Sequence, residues 1–309
     1  MIVLTLCVSA LIATAGAADP PVTAIAFAPD GQSVIVGSQA GLVVHGWPDL
    51  KPERSLDTKL INIHALAFAP GGMSLAAAGG TPSEQGQVEI FDWPDGNLTV
   101  RCTDHEDSVL GIAWSNDSLL ATASLDHVVT LWKAESGESV QQLKGHSRGV
   151  SSVCFLPDTD MLVSAGLDQN LRVWEIATQK LLRTLNNHTL PVHQIALRPG
   201  GVGLPMVASV SDDRTVRLWQ PTIGRMVRFA QLDSTPLAVD WLTDGSYVVV
   251  TSADGHVRLI DPDTVEVVQD LPAVTGWAYS LGIHPMDGSL LIGGREGQLR
   301  RVIPDGAAP

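Results

Sequence analysis

The feature that most constrains how this chain can fold is a nine-residue phrase that occurs three times. It reads SLDHVVTLW at 124–132, GLDQNLRVW at 166–174 and SDDRTVRLW at 211–219. In each copy an aspartate precedes a tryptophan by six residues, and a hydroxyl residue precedes that aspartate by four. Such regular recurrence indicates that the chain is assembled from equivalent structural units.

A second phrase precedes each copy and recurs seven times, as AIAFAPDG, ALAFAPGG, GIAWSNDS, SVCFLPDT, QIALRPGG, AVDWLTDG and SLGIHPMDG, with starts 41 to 46 residues apart. Between them, runs rich in Val, Leu, Thr and Trp alternate with Asp, Gly, Pro and Ser, which predicts short strands and tight turns. We therefore predict an all-β, seven-bladed β-propeller of four-stranded antiparallel blades over 18–309. The blades start near residues 22, 63, 109, 150, 192, 236 and 278, and the last offers segments for only three strands.

These phrases resemble those of the WD-repeat β-propeller family over residues 22 to about 303. In that family a His before the first strand, a Ser or Thr of the second strand, an Asp of the next turn and a Trp of the third strand form a hydrogen-bonded tetrad. The resemblance implies a structural role for these residues, because burying a carboxylate is costly unless hydrogen-bond donors contact it. Three equivalent copies also favour a structural role over a single catalytic triad. The matching sets are His105, Thr122, Asp126 and Trp132; His146, Ser164, Asp168 and Trp174; and His188, Ser209, Asp213 and Trp219.

The other four blades each lack part of the tetrad. Blade one is expected to offer Trp47 with Gly41 in place of Asp, and blade two Trp93 with Gln87. Blade six keeps Asp254 but has Ile260 for Trp, and blade seven has only Glu296 near the turn. We expect apolar packing to hold these four blades, and residues 105–219 to be the most rigid part of the ring.

The first 17 residues predict a signal peptide, because an apolar run from Ile2 to Ala13 ends in the small-x-small pattern Ala15-Gly16-Ala17. The run is too short to span a membrane comfortably. The mature protein is then expected to be secreted or periplasmic, with no membrane span after signal removal. In the alternative, residues 3–12 are retained as the missing outer strand of blade seven, and the protein is cytoplasmic.

The formal net charge of −14 disfavours a nucleic-acid partner, because such a surface repels phosphates. Lys and Arg are scattered along the sequence, and Arg300–Arg301 is the only tight cluster. The patterns of a nucleophile elbow, a phosphate-binding loop and a zinc site are all missing. Cys102 and Cys154 occupy non-equivalent positions, which fits small buried residues and no disulfide framework. We predict a monomeric non-enzyme that uses no cofactor and no metal.

The family resemblance implies an interaction scaffold that binds a protein or peptide, as yet unidentified. Its face is built from the loops before the first strands and after the second strands, which we call the loop face. The candidate contact residues there are Arg148, Arg214, His127, Gln169, Asn170, His256, Trp277 and Tyr279.

Two alternatives remain open. The first is ligand sensing or catalysis at the channel mouth, where the second position of the first strands reads Thr23, His64, Leu110, Ser151, His193, Leu237 and Tyr279. His64, His193 and the channel-wall acid Asp240 are its candidate ligand site. The second is a module of a larger envelope assembly, docked through the open edge of blade seven.

Overall fold

The computed structural model describes residues 19–115, 119–200 and 203–305. Over these ranges the chain forms six four-stranded sheets and one three-stranded sheet, with all strand pairs antiparallel. The sheets follow one another along the chain as blades one to seven. The predicted seven-bladed β-propeller, with three strands in its last blade, is confirmed.

The first strand of each blade contacts the first strands of both neighbours, which closes the ring around a central channel. These strands are β1 (Val22–Phe27), β5 (Ala65–Phe68), β9 (Val109–Trp114), β13 (Val150–Leu156), β17 (Val192–Leu197), β21 (Pro236–Trp241) and β25 (Ala278–Ile283). The second strands are β2 (Ser33–Ser38), β6 (Ser74–Thr81), β10 (Leu119–Ser124), β14 (Met161–Gly166), β18 (Val207–Ser211), β22 (Val248–Ser252) and β26 (Leu290–Gly294).

The third strands are β3 (Gly41–Gly46), β7 (Gln85–Asp92), β11 (Val128–Lys133), β15 (Leu171–Glu175), β19 (Thr215–Gln220), β23 (His256–Ile260) and β27 (Leu299–Val302). The outer strands are β4 (Pro52–Leu56), β8 (Leu98–His105), β12 (Glu138–Lys144), β16 (Lys180–Leu185), β20 (Arg225–Gln231) and β24 (Val267–Pro272). Two short 3₁₀ helices cover Pro221–Ile223 and Arg295–Gly297. The second strands are almost wholly buried because both faces meet neighbouring blades, whereas the outer strands are largely exposed.

The core is divided among the seams between blades. Seven apolar clusters occur in the described chain, and each joins residues of two adjacent blades. Each tetrad tryptophan belongs to the seam with the preceding blade, as Trp219 does with blade four. Because a single sheet cannot cover both of its own faces, burial at these seams is what holds the ring together.

The register of blades one and two corrects the expected positions of two tryptophans. Trp132 pairs with Leu120 in blade three, but the equivalent pairs are Val34 with His45 in blade one and Leu75 with Phe91 in blade two. Trp47 and Trp93 lie two residues later, in the turns that lead to the outer strands. Assigning them to the tetrad position was therefore wrong.

The ring closes between blades seven and one. Ser280 Oγ donates to the carbonyl of Val22 at 2.9 Å, and His284 Nε2 lies 3.1 Å from the carbonyl oxygen of Gly31. The predicted signal segment, residues 1–17, lies outside the described residues, so secretion and the retained-strand alternative both stay predictions. In the part of the chain that is described, no helix has the length and apolar character needed to cross a membrane.

Candidate interaction face

The blade-five tetrad forms one continuous hydrogen-bonded chain. Trp219 Nε1 donates to Ser209 Oγ at 2.8 Å, and that oxygen lies 2.7 Å from His188 Nε2. The other ring nitrogen, Nδ1, lies 2.8 Å from Asp213 Oδ2. Trp219 and Ser209 are fully buried. The network therefore ties the loop before β17 to the turn after β18.

Blades three and four contain the same arrangement. His105 lies 2.6 Å from both Thr122 and Asp126, and Trp132 donates to Thr122 at 2.8 Å. His146 lies 2.8 Å from Ser164 and 3.0 Å from Asp168. Trp174 donates to Ser164 at 2.8 Å. The three blades therefore contain three equivalent hydrogen-bonded networks.

Titration of the tetrad follows from its burial. Burial lowers the pKa of His188 to about 4, against the opposing effect of Asp213. Burial by itself raises the pKa of Asp213, but hydrogen bonds from Thr215 and His188 outweigh it and the pKa falls to about 2. At neutral pH the ring is neutral, so Nδ1–H donates to the carboxylate and Nε2 accepts from the serine hydroxyl. The imidazole has no free nitrogen for acid–base chemistry.

Sequence reasoning missed two arginines, each of which joins one of these networks. Arg172 Nη1 lies 2.7 Å from Asp168 Oδ2, and Arg217 Nη2 lies 3.5 Å from Asp213 Oδ2. Both arginines follow the tetrad aspartate by four residues, a spacing that the sequence repeats and that could have revealed them. Thr130 holds this position in blade three.

In blade six an arginine–aspartate pair takes the place of the tetrad. Val250 pairs with Arg258 as Ser209 pairs with Arg217, so valine occupies the hydroxyl position. Asp254 remains and binds Arg258 at 2.6 Å. Because Ile260 has no indole N–H, Val250 at the hydroxyl position leaves no such donor without an acceptor.

The loop face is built on these networks. Ser124 Oγ donates to the carbonyl of Asp107, and Ser211 Oγ to that of Leu190, which joins the turn after each second strand to the loop before the first strand. The turn residues His127, Gln169 and Arg214 follow the tetrad aspartates and have left-handed φ values of 73°, 72° and 61°. Backbone N–H groups two residues beyond Asp126 and Asp213 bind those carboxylates and hold the turns.

The eight predicted face residues divide into two groups. His127, Arg148, Arg214 and Trp277 are exposed, whereas Gln169, Asn170, His256 and Tyr279 are partly buried. Asn170 donates to the carbonyl of its own turn, and His256 Nδ1 lies 2.6 Å from Asp270 on the outer strand. The Trp277 side chain is 52% exposed and packs beside Tyr279, with ring centroids 5.7 Å apart. Trp277 is the largest available anchor on this face.

The channel mouth is a separate feature at the centre of the ring. A cavity of about 250 Å³ is lined by all seven second-position residues, including His64, His193 and Tyr279. In several first strands the pairing with the second strand shifts by one residue, and the second residue of the first strand, such as His193 or Tyr279, forms a β-bulge. The bulge directs its side chain toward the cavity. Burial lowers the pKa of His64, and His193 Nε2 lies 2.7 Å from Asp212 Oδ1.

Asp240 is not among the residues that line this cavity. It lies farther along β21, keeps some solvent contact, and accepts a 2.8 Å hydrogen bond from the N–H of Trp241. Burial raises its pKa to about 6, and that hydrogen bond offsets the effect only in part. Across residues 19–115, 119–200 and 203–305, no three His, Cys, Asp or Glu side chains are grouped to hold a metal ion.

Comparison with known families gives four matches to one family model, described as WD domain, G-beta repeat. The matches cover residues 96–133, 137–175, 179–220 and 231–261. The first three run from an outer strand through the third strand of the following blade. The matched sequence unit is therefore offset from the structural blade by one strand.

Similar proteins share the repeat region and differ in overall length. The chain is 30% identical over 202 residues to telomerase protein component 1 of Mus musculus, which is 62% of this chain and 7% of that protein. It is 30% identical over 191 residues to nuclear distribution protein PAC1 of Arthroderma otae, covering 58% and 40% respectively. Over 198 residues it is 31% identical to GID complex subunit 7 of Schizosaccharomyces pombe, covering 62% and 38%. The chain thus spans less than half the length of each of these relatives.

Proposed function

Because the chain belongs to the WD-repeat family of β-propellers, we propose that it is a non-catalytic platform whose loop face binds a protein or peptide. The observation that carries this proposal is the placement of exposed side chains next to the tetrads. His127 and Arg214 directly follow tetrad aspartates, and Arg148 lies two residues after tetrad His146. Side chains on a fixed backbone lose less conformational entropy when a partner binds.

The relatives support this class of function. WD-repeat relatives typically serve as protein-interaction scaffolds, and the names of two, a telomerase protein component and a GID complex subunit, describe parts of assemblies. Extending this role to the present chain is part of the proposal. The partner is expected to contact Trp277 with apolar area and the two arginines with acidic or carbonyl groups.

The ionisable groups of the face fit binding better than catalysis. Each tetrad imidazole is engaged at both nitrogens by a hydroxyl and a carboxylate. The thiols of Cys102 and Cys154 are buried, and burial raises the pKa of each to about 12, which disfavours the nucleophilic thiolate.

The proposal is tested by quantitative affinity capture from the native host, comparing wild type with Arg148→Glu/Arg214→Glu/Trp277→Ala. We expect a stoichiometric partner that the triple variant retains at least about tenfold less, because interface anchors of these types commonly contribute 1–2 kcal/mol or more each. Thermal unfolding should be little changed, because all three side chains are exposed.

A matched variant on the opposite face is Lys51→Glu/Lys133→Glu/Met286→Ala, which makes the same charge change and also shortens one exposed apolar side chain. It should bind the partner as wild type does. Equal capture by all three proteins would reject the loop face as the interface.

The channel mouth supports a second, smaller function. Its volume of about 250 Å³ falls below the size of most drug-like pockets, so only a small polar molecule would fit. Thermal shift with a panel of small metabolites, comparing wild type with His193→Leu, would identify such a ligand by a shift that the variant loses.

A further inference from the structure

The charge of the ring is unevenly distributed between sectors. Residues 176–232, which form β16 of blade four and all of blade five, contain seven Lys or Arg and only two Asp, a net charge of +5. The net charge of the whole chain is −14, so the residues outside this segment have a net charge of −19. This continuous stretch of the sequence thus forms a positively charged sector of an acidic molecule.

A β-bulge places two of these arginines on one side of strand β20. Leu218 pairs with Arg228 and Gln220 with Arg225, while Val227 has no partner opposite it. The extra residue interrupts the side-chain alternation, so Arg225 and Arg228, which are three residues apart, project to the same side of the strand. Both side chains are exposed.

A third arginine reaches this strand from the neighbouring blade. The side chain of Arg183, on β16, packs over Gly224 in the turn before β20, and a Cβ at Gly224 would lie only 2.9 Å from Arg183 Cδ. Gly224 also has a left-handed φ of 70°, which favours glycine. Because Gly224 has no side chain, the Arg183 side chain can pack over this turn and contact the outer part of blade five from blade four.

These three guanidinium groups lack the carboxylate partners that Arg172 of blade four and Arg217 of blade five have. Arg172 and Arg217 pair with tetrad aspartates. Among the described residues, no carboxylate lies within 4.0 Å of Arg183, Arg225 or Arg228. Unpaired, exposed guanidinium groups are suited to bind carboxylates in pairs of hydrogen bonds.

Apolar side chains are interleaved with these cations. Ile223 and Phe229 are 51% and 48% exposed, and they lie in the same turn and strand as Arg225 and Arg228. Phe229 pairs with Arg217 and therefore projects to the side of β20 that faces blade four, whereas Arg228 pairs with Leu218 and projects to the side that faces blade six. Arg217 Cζ lies 5.5 Å from the ring centroid of Phe229, a cation–π contact on the same side of the strand. Exposed apolar area beside cations is typical of a protein-binding surface.

We propose that Arg183, Ile223, Arg225, Arg228 and Phe229, which surround the exposed outer strand β20 on both of its sides, form a second docking surface, which we call the cationic rim, for an acidic peptide segment that also carries apolar residues. The rim lies on the outer strands and is distinct from the loop face. A short acidic peptide is favoured over nucleic acid because the sector is narrow. A long nucleic-acid chain would extend beyond this sector and meet the rest of the molecule, whose net charge is −19.

The test measures fluorescence anisotropy with a labelled peptide of four Glu-Glu-Leu repeats. Wild type should bind it with an affinity that falls as salt rises, because the contacts are exposed ion pairs. Arg183→Glu/Arg225→Glu/Arg228→Glu should weaken binding at least about tenfold, since three attractions become repulsions. Ile223→Ser/Phe229→Ser should weaken binding of this peptide but not of a Glu-Glu-Ser repeat.

The matched control is Lys51→Glu/Lys133→Glu/Lys144→Glu, which changes the net charge equally on blades one and three. It should bind the peptide nearly as wild type does. Equal losses in both triple variants, or no binding by wild type, would overturn the proposal. Tighter binding of a single-stranded oligonucleotide or of phosphatidylserine vesicles than of the peptide would also overturn it. The loop-face variants leave the cationic rim intact, so the two proposals fail independently.

Discussion

At the scale of single residues, one strand position shows how a buried hydroxyl is kept or removed. Ser209 accepts from the Trp219 indole and bonds the His188 ring, so its oxygen is fully used. In blade six, where Ile260 replaces the tryptophan, the same position holds Val250. The next residue, Thr251, is fully buried, and its Oγ1 has no hydrogen-bond partner among the described residues.

This contrast predicts opposite effects for two similar substitutions. Ser209→Ala should lower the free energy of unfolding by about 1–3 kcal/mol, because it leaves the buried Trp219 N–H and His188 Nε2 unpaired. Thr251→Val should be neutral or slightly stabilising, because it removes a hydroxyl that is buried without a partner. Urea unfolding of both variants measures the difference, and a large loss in Thr251→Val would contradict this account.

Asp240 gives a second residue-scale prediction, which concerns pH. Its folded pKa of about 6 lies above the ordinary 3.8, so between these values the folded state holds a proton that the unfolded state has released. Its contribution to stability is therefore greatest below about pH 3.8 and is lost as pH rises through 6. Asp240→Asn should raise the free energy of unfolding by about 1–2 kcal/mol at pH 7 and have almost no effect at pH 4.

Unfolding in urea at the two pH values checks this prediction. Asp233→Asn removes an exposed carboxylate from a loop of the same blade and should change little at either pH. A gain from Asp240→Asn that is equal at pH 4 and pH 7 would show that the carboxylate is not the cause.

At the scale of elements, blades with equal strand patterns differ in what fixes their loops. Blades three, four and five have a complete tetrad, blade six has an arginine–aspartate pair, and blade seven has three strands. Apolar packing at the seams is common to all seven. The tetrads therefore add local support on top of a shared core.

Hydrogen exchange should reveal this difference. We expect amides of β10, β14 and β18 to exchange more slowly than those of β26, because the tetrads resist local opening. In Ser209→Ala, protection of β18 should fall while that of β10 is unchanged. Exchange followed by mass spectrometry tests this, and uniform protection across these strands would contradict the predicted rigidity of residues 105–219.

At the scale of the whole molecule, seven similar units make a ring for which we propose two separate docking surfaces. The loop face carries Trp277, Arg148 and Arg214 near the channel, and the cationic rim lies on the outside of blades four and five. Ring closure between Ser280 and Val22 keeps these surfaces in a fixed relation. The proposed platform would therefore present arginines to a partner on each of two separate surfaces.

The sequence by itself determined the architecture, because the same pattern of strands and turns recurs seven times along the chain. The six-residue spacing of Asp126 and Trp132 identified the tetrad, and three strand-like segments predicted the three strands described in blade seven. These inferences succeeded because strand alternation and turn chemistry are local in sequence. Trp47 and Trp93 were misplaced because a register shift of two residues keeps the same side-chain alternation.

Only the tertiary structure decided what depends on contacts between blades. It separated Asp240 from the cavity that His64 and His193 line, and it gathered Arg183 with Arg225 and Arg228, which lie 42 and 45 residues away in sequence. The bulge at Val227 that aligns two of these arginines leaves no clear signal in composition. The physical reason is that seams join residues about one repeat apart, so the partners are set by packing and not by any local pattern.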